Sequence, residues 1–330
     1  MASFRTWLNM ATEPPASPFR APIFIIGCMR SGTTFLVDKL TQHPQLLKVG
    51  SELREVWTDI GGAPCGGAIG AYRGPGDAQP QYAANMAAYF TRFIEESRNM
   101  RRHLMRAKQK WKQGSSSIFY DWDQIFPVNK STHLVNKIQY LHQLFPTARF
   151  LFLIRSIEGQ VASLKVHASQ HFDVSELLLY APEDSKASWG QGTRSLFPKE
   201  VATDRFFPEN FSLLPEMWIR LNGLALQELE GIPKDVYRVI DYEDLNRNQA
   251  SILQQVFDFL PLDPQHQAAA KKIAAAPMKV INTTVKGNPL DKWKRTLTES
   301  EISLVEAYIQ SHTHREIRDW VDRIKVRPNE

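Results

Sequence analysis

The sequence predicts an α/β fold, a doubly wound central parallel sheet flanked by helices. Three observations carry that expectation. Short continuous apolar runs such as "PIFII" and "RFLFLI" have the pattern of strands buried on both faces. Segments of helical period alternate with them, and one pair is joined by a crossover short enough for the strand–helix–strand unit of a parallel sheet. A glycine-bracketed turn, "GCMRSGTT" at residues 27–34, separates the first run from the first helix, where open α/β sheets bind anions.

Taken in order, "PIFII" is the first strand, and "FLVDKL" opens the helix beyond the turn. "LLKVGSELREVW" offers a short second strand, followed by the glycine-rich break "DIGGAPCGGAIGAYRGPGDAQP". One long helix is expected from about Gln81 to Gln113. "STHLVNK" reads as a strand, "IQYLHQLFP" as a short helix stopped by Pro146, and "RFLFLI" as a buried strand leading into the helix "EGQVASLKVHASQH". Residues 173–212 show no period, and a stretch of that length inside a domain reads as a lid or binding loop. The helix "LLPEMWIRLNGLALQELE", the strand "VYRVID", the helix "QASILQQVFDFL" and a mostly helical C-terminal part complete the pattern. The expected organisation is an N-terminal extension over 1–20 and one domain over 21–330, with insertions at 58–118 and 173–212 over the acceptor site.

At 330 residues and 43% hydrophobic content the chain can bury a substantial core. Its two cysteines, Cys28 and Cys65, form neither a disulfide framework nor a metal-ligand spacing, which points to a reducing compartment. No apolar run approaches the roughly 18 residues of a membrane span, and the N-terminus lacks the apolar core of a signal peptide. A soluble, cytoplasmic protein with no membrane partner is expected. The net charge of +5 is concentrated: "RFIEESRNMRRHLMRAKQKWK", residues 92–112, holds eight Lys/Arg and two Glu. This segment is either a solvated helix face or a docking face for an acidic partner or substrate. Nucleic acid is disfavoured, because aromatics are not interleaved with the basic residues.

Gly27 and Gly32 have the spacing of a phosphate-cradling loop, but Thr33 stands where an ATP-binding loop carries lysine. Backbone amides at a helix N-terminus bind an anion in either case. Arg30 supplies a cation from within the loop, which suits a shorter 5′ group better than a triphosphate.

"CMRSGTTFL" resembles the 5′-phosphosulfate loop of sulfotransferases that use 3′-phosphoadenosine-5′-phosphosulfate (PAPS). Three further segments are similar to that family in the same order. Arg155 and Ser163 in "FLIRSIEGQVASL" have its eight-residue spacing, "YEDL" follows a strand and leads into "FDFLPL", and "VKGNPLDKWKRTLT" matches its Lys-Gly and Trp-Lys stretch. The resemblance implies a P-loop-like phosphosulfate-binding loop in which Arg30, Ser31, Gly32, Thr33 and Thr34 hold the 5′-phosphate. It implies that Arg155, Ser163, Lys286 and Gly287 hold the 3′-phosphate, and that Phe35 and Tyr242 pack against or contact adenine. The product would be adenosine 3′,5′-bisphosphate (PAP), and no metal is required, since the transferred group carries less charge than a γ-phosphate. The acceptor implied is a hydroxyl or an amine or guanidine of a natural-product-like small molecule.

In-line transfer calls for a base near the acceptor atom. Glu52, just past the second strand, stands where tyrosylprotein-type and related bacterial members place a catalytic glutamate. His133 in "STHLVNK" resembles the histidine of cytosolic members. If "STHLVNK" is a strand, His133 and Lys137 lie roughly 13 Å apart and cannot meet one reacting group. The strand end then favours Lys137 as a contact to the transferring group. Glu52 is the first choice of base, with His133 the alternative. His167 and His171 have helical i, i+4 spacing but lack the further ligands of a zinc site. Two rival readings remain from the sequence: a P-loop nucleotide kinase, and a non-catalytic nucleotide-binding protein that docks an acidic partner. Oligomeric state is not legible.

Overall fold

The computed structural model describes residues 20–64, 72–112, 119–170, 211–277 and 287–328. The N-terminal extension but for Arg20, the middle of the glycine-rich break with Cys65, nearly all of the 173–212 segment, His171 and Lys286 lie outside the described residues. In chain order the described elements are β1 (Ile23–Ile26), α1 (Thr33–Leu40), β2 (Leu46–Lys48), α2 (Arg54–Asp59), α3 (Pro80–Arg98), α4 (Met100–Lys112), β3 (Phe126–Ser131), α5 (Ile138–Leu144), β4 (Arg149–Ile154) and α6 (Ile157–Gln170). They continue with α7 (Leu213–Glu230), β5 (Tyr237–Asp241), α8 (Tyr242–Arg247), α9 (Gln249–Phe259), α10 (Gln267–Ala275), α11 (Trp293–Thr296), α12 (Glu299–Ile309) and α13 (His312–Ile324).

The five strands form one sheet in the order β2-β3-β1-β4-β5, and every pair is parallel. The predicted α/β class holds. Alternate residues of β1 feed different cores. Phe24 and Ile26 join the cluster that contains Trp57, Tyr140, Val161 and Trp218, whereas Ile23 and Ile25 join Phe35, Leu36, Leu253 and Phe257. Consequently α1 covers one face of the sheet, and α5 and α6 cover the other. The connections leaving β1 and its neighbours β3 and β4 therefore part to opposite faces. That divergence opens a crevice at the carboxyl end of β1, the position of ligand sites in open α/β sheets.

Two sequence expectations need correction. The segment "STHLVNK" is not a strand: β3 ends at Ser131, and residues 132–137 turn away to start α5. The strand lies earlier, in "FPVNKS", which a proline disguises because proline lacks the N–H a ladder needs. Pro127 is tolerated because it faces only Leu47 of β2, while pairing with β1 begins one residue later, at Ile23 with Val128. The expected single helix over 81–113 is two helices, broken where Asn99 adopts ψ of 131°. The second, α4, is held by the buried Lys110, whose ammonium donates to the carbonyl of His43 at 3.1 Å and lies over the Tyr120 ring at 3.7 Å. His43 precedes β2, so α4 docks at the amino ends of the strands, away from the crevice.

Candidate functional site

The glycine loop is shaped by two left-handed residues, Arg30 with φ of 68° and Gly32 with φ of 104°, on either side of Ser31. Such alternation turns successive amides into one concavity. Gly32 precedes α1 without any side-chain cap, and the first intrahelical bond there is Leu36 N to Gly32 O at 3.2 Å. The amides of Thr33, Thr34 and Phe35 are thus the unsatisfied donors of a helix start. Thr33 is buried and Thr34 exposed, while Phe35 turns into the core beneath the sheet. Glycine at 32 is required twice, by its φ and because a Cβ would stand 2.6 Å from the Tyr242 ring. Gly32→Ala is therefore expected to lower stability by about 2 kcal/mol and to weaken anion binding, measured by thermal melting and by titration with PAP.

Arg155, at the end of β4, is almost wholly buried and lies flat against Tyr242, its guanidinium carbon 4.5 Å from the ring centroid. It donates to the carbonyls of Arg30 at 3.2 Å and Pro289 at 3.3 Å. Its own carbonyl accepts from the Trp218 indole at 2.9 Å, which locks the strand end. Arg30 donates through Nε to Ser163 Oγ at 3.1 Å, so the residues expected at two different phosphates touch each other. Neither guanidinium has a carboxylate within ion-pair distance among the described residues. Burial, and then the charge of Arg155, depress Arg30; burial likewise depresses Arg155. Ser31 Oγ and Arg155 Nε are buried with no hydrogen-bond partner among the described residues. Two depressed cations and an orphaned hydroxyl around a glycine turn fit an anionic group, since buried polar atoms otherwise go unpaired. Gly287, beside Arg295, has φ of 118°; Lys286 precedes it outside the described residues. Cys28, in the same loop, is buried and its thiol donates to Asn222 Oδ1 at 3.4 Å; burial pushes it up to about 12, away from the reactive thiolate.

Glu52 leaves β2 in a turn built on Gly50 with φ of 63° and Leu53 with φ of 53°, the latter a strained conformation for a branched side chain. Asn129 on β3 holds the turn through the Val49 and Ser51 carbonyls at 3.4 and 3.3 Å, and also accepts from the Trp57 indole at 3.0 Å. The Glu52 carboxylate is thereby delivered to the end of β3. There it pairs with Lys130 and accepts from the amide and hydroxyl of Thr132 at 3.1 and 2.6 Å. Burial alone would raise this carboxyl, but His133 beside it, and then the Lys130 ammonium and the Thr132 hydroxyl, hold it well below the usual carboxylate range. The residues Ser51 to Val56 line an open pocket of about 430 Å³.

His133 is buried, its Nδ1 2.8 Å from Ser131 Oγ and 3.8 Å from Glu52. Burial pushes it down, so it is neutral near pH 7. Lys137 donates to the His133 carbonyl at 3.0 Å and to Asn136 Oδ1 at 2.8 Å. The expected 13 Å separation is therefore wrong: in a turn, unlike a strand, residues four apart fold back on each other. Glu52, His133 and Lys137 thus gather around one turn at the carboxyl end of β3, while Arg30, Arg155, Ser163 and Tyr242 gather at β1 and β4. Sequence reasoning missed Lys130 and Thr132, which clamp Glu52. It also missed Glu228, which accepts from the Gln139 amide at 2.9 Å and steadies the start of α5. No local pattern marks these residues, because each acts on a partner between 78 and 89 positions away in the chain. Among the described residues no three His, Cys, Asp or Glu side chains are grouped to hold a metal, and no helix is long and apolar enough to cross a membrane.

Several solved structures are similar in fold. The sulfotransferase domain from the curacin biosynthetic pathway is 15% identical, covering 93% of this chain and 99% of that one, with a TM-score of 0.44. The sulfotransferase domain from the Synechococcus PCC 7002 olefin synthase is 16% identical, with coverages of 91% and 98% and a TM-score of 0.43. A mouse sulfotransferase complexed with PAP is 10% identical, with coverages of 91% and 88% and a TM-score of 0.43. No curated protein matches the chain. A family model described as "Sulfotransferase family" matches residues 22–266, which include the glycine loop, the Glu52 turn, Arg155, Ser163 and Tyr242. Because that match spans about three quarters of the 330 residues, the chain belongs to the sulfotransferase family.

Proposed function

We propose that the protein transfers a sulfonyl group from PAPS to a hydroxyl or an amine or guanidine of a natural-product-like small molecule. The observation that supports this reading is the pair of guanidiniums, half-buried Arg30 and buried Arg155, set with no carboxylate at ion-pair distance among the described residues around a glycine loop that lacks lysine. In it Arg30, Ser31, Gly32, Thr33 and Thr34 hold the 5′ side of the nucleotide. Arg155, Ser163, Lys286 and Gly287 hold the 3′-phosphate, with Tyr242 and Phe35 on the adenine side. PAPS supplies the sulfonyl group when bound. Arg30 offsets the negative charge that grows on the 5′-phosphate oxygen. Lys137 approaches the transferring group, and Glu52 accepts the proton of the acceptor O–H or N–H, with His133 the alternative base. A carboxylate held below its usual range is a weak base. It suffices here because the acceptor atom becomes acidic as its bond to sulfur forms.

On this reading residues 21–330 are one catalytic domain. The 173–212 segment and the part of the 58–118 insertion nearest Trp57 shape the acceptor pocket. A transfer assay with labelled donor and a panel of alcohols, phenols and amines is expected to show donor-dependent product without added Mg²⁺, and micromolar-range binding of PAP. Mg²⁺-dependent ATP binding with no affinity for PAP would instead make the protein a kinase.

A further inference from the structure

We propose that α4 is a docking surface for anionic phospholipid bilayers, and that it holds the protein reversibly at a membrane without crossing it. The helix sequence "MRRHLMRAKQKWK" contains six Lys/Arg and no Asp or Glu; Lys110 is buried, Arg102 pairs with Glu96 of α3 and Arg106 packs over Phe93, while Lys108 is exposed. On it, Leu104 is 57% exposed, Met105 59% and Trp111 71%; Phe119, just beyond and stacked on His103, is 59% exposed. Those four are all but one of the large exposed hydrophobic side chains among the described residues, so the patch is concentrated rather than scattered. Helical geometry puts Trp111, Leu104, Lys108 and Met105 on one arc of roughly 120°, while Ala107 and Lys110 face the body. Lys108 on this arc makes no ion pair with a described residue.

An exposed cationic helix with Leu, Met and Trp on its outer face matches the chemistry of the bilayer interface. There apolar side chains enter the headgroup boundary and Lys/Arg meet anionic lipid. The surface is the convex face of a single helix, with the apolar side chains flanking the Lys108 cation. A fluid interface accommodates that shape, whereas an acidic protein would need a matching groove. Because α4 is fixed at the amino ends of the strands by Lys110, attachment leaves the crevice at the carboxyl ends open. Binding and catalysis are therefore separable.

The test is co-sedimentation of the full chain with phosphatidylcholine vesicles, with or without phosphatidylserine, at low and high salt. The wild type is expected to bind only the phosphatidylserine vesicles, and more weakly at high salt. K108E/K112E and L104S/W111S should each lose affinity at least about tenfold, with unchanged far-ultraviolet circular dichroism, melting temperature and PAP binding. Failure of the wild type to sediment with anionic vesicles would overturn the proposal, as would unchanged binding by both variants. Binding to an acidic polypeptide but not to vesicles would overturn it in favour of an acidic protein partner.

Discussion

Replacing Arg155 by alanine is expected to weaken PAP binding and reduce transfer by about 10²–10³-fold while leaving the ligand-free fold within about 1 kcal/mol of wild type. Among the described residues Arg155 is a buried cation that donates to two backbone carbonyls and rests on Tyr242, with no carboxylate at ion-pair distance and only the more distant charge of Glu243 to offset its desolvation. Its removal sheds a charge that the empty protein stabilises poorly. A bound phosphate dianion loses a two-pronged donor in a site where water cannot substitute. Arg155→Lys should fall between the two, since it keeps the charge but neither the fork nor the flat contact with the tyrosine. Arg30→Ala should behave alike, with the larger share of its loss in kcat if Arg30 acts on the leaving 5′-phosphate. Isothermal titration with PAP and donor-dependent kinetics separate the two effects. Wild-type activity in both alanine variants would remove these residues from the site.

Glu52→Gln is expected to lower kcat by about 10²–10⁴-fold and to cost on the order of 2 kcal/mol of stability at neutral pH. The amide still accepts from Thr132, but the Lys130 ammonium is left part-buried without its counter-charge. The sign with pH follows from the depressed carboxyl. In the wild type this stabilisation is complete above the ordinary carboxylate range and is lost as pH falls through the lower folded value. The stability gap between wild type and variant should therefore close in strong acid, as read by denaturant midpoints across pH. For the same reason an ionised Glu52 contributes no acid limb to kcat between about pH 5 and 8. A limb in that window that vanishes in His133→Gln, with activity retained in Glu52→Gln, would transfer the role of base to the histidine.

The sequence by itself determined what depends on neighbours in the chain. The strands at 23–26, 149–154 and 237–241, the intervening helices and the glycine turn follow from apolar period and from glycine backbone freedom, both local properties. The family resemblance in four ordered segments was legible for the same reason, each segment being contiguous. Only the tertiary structure decided which strand lies between β1 and β2, because Pro127 argues against a strand until its one-sided pairing with β2 is seen. It also decided the chemistry around Glu52. The clamp by Lys130 and Thr132 and the bond from Arg30 to Ser163 join residues 78 to 133 positions apart, brought together by sheet order and burial. Local pattern can name a carboxylate or a guanidinium. Only its packed surroundings determine whether it is paired, how far it is desolvated and therefore what charge it carries.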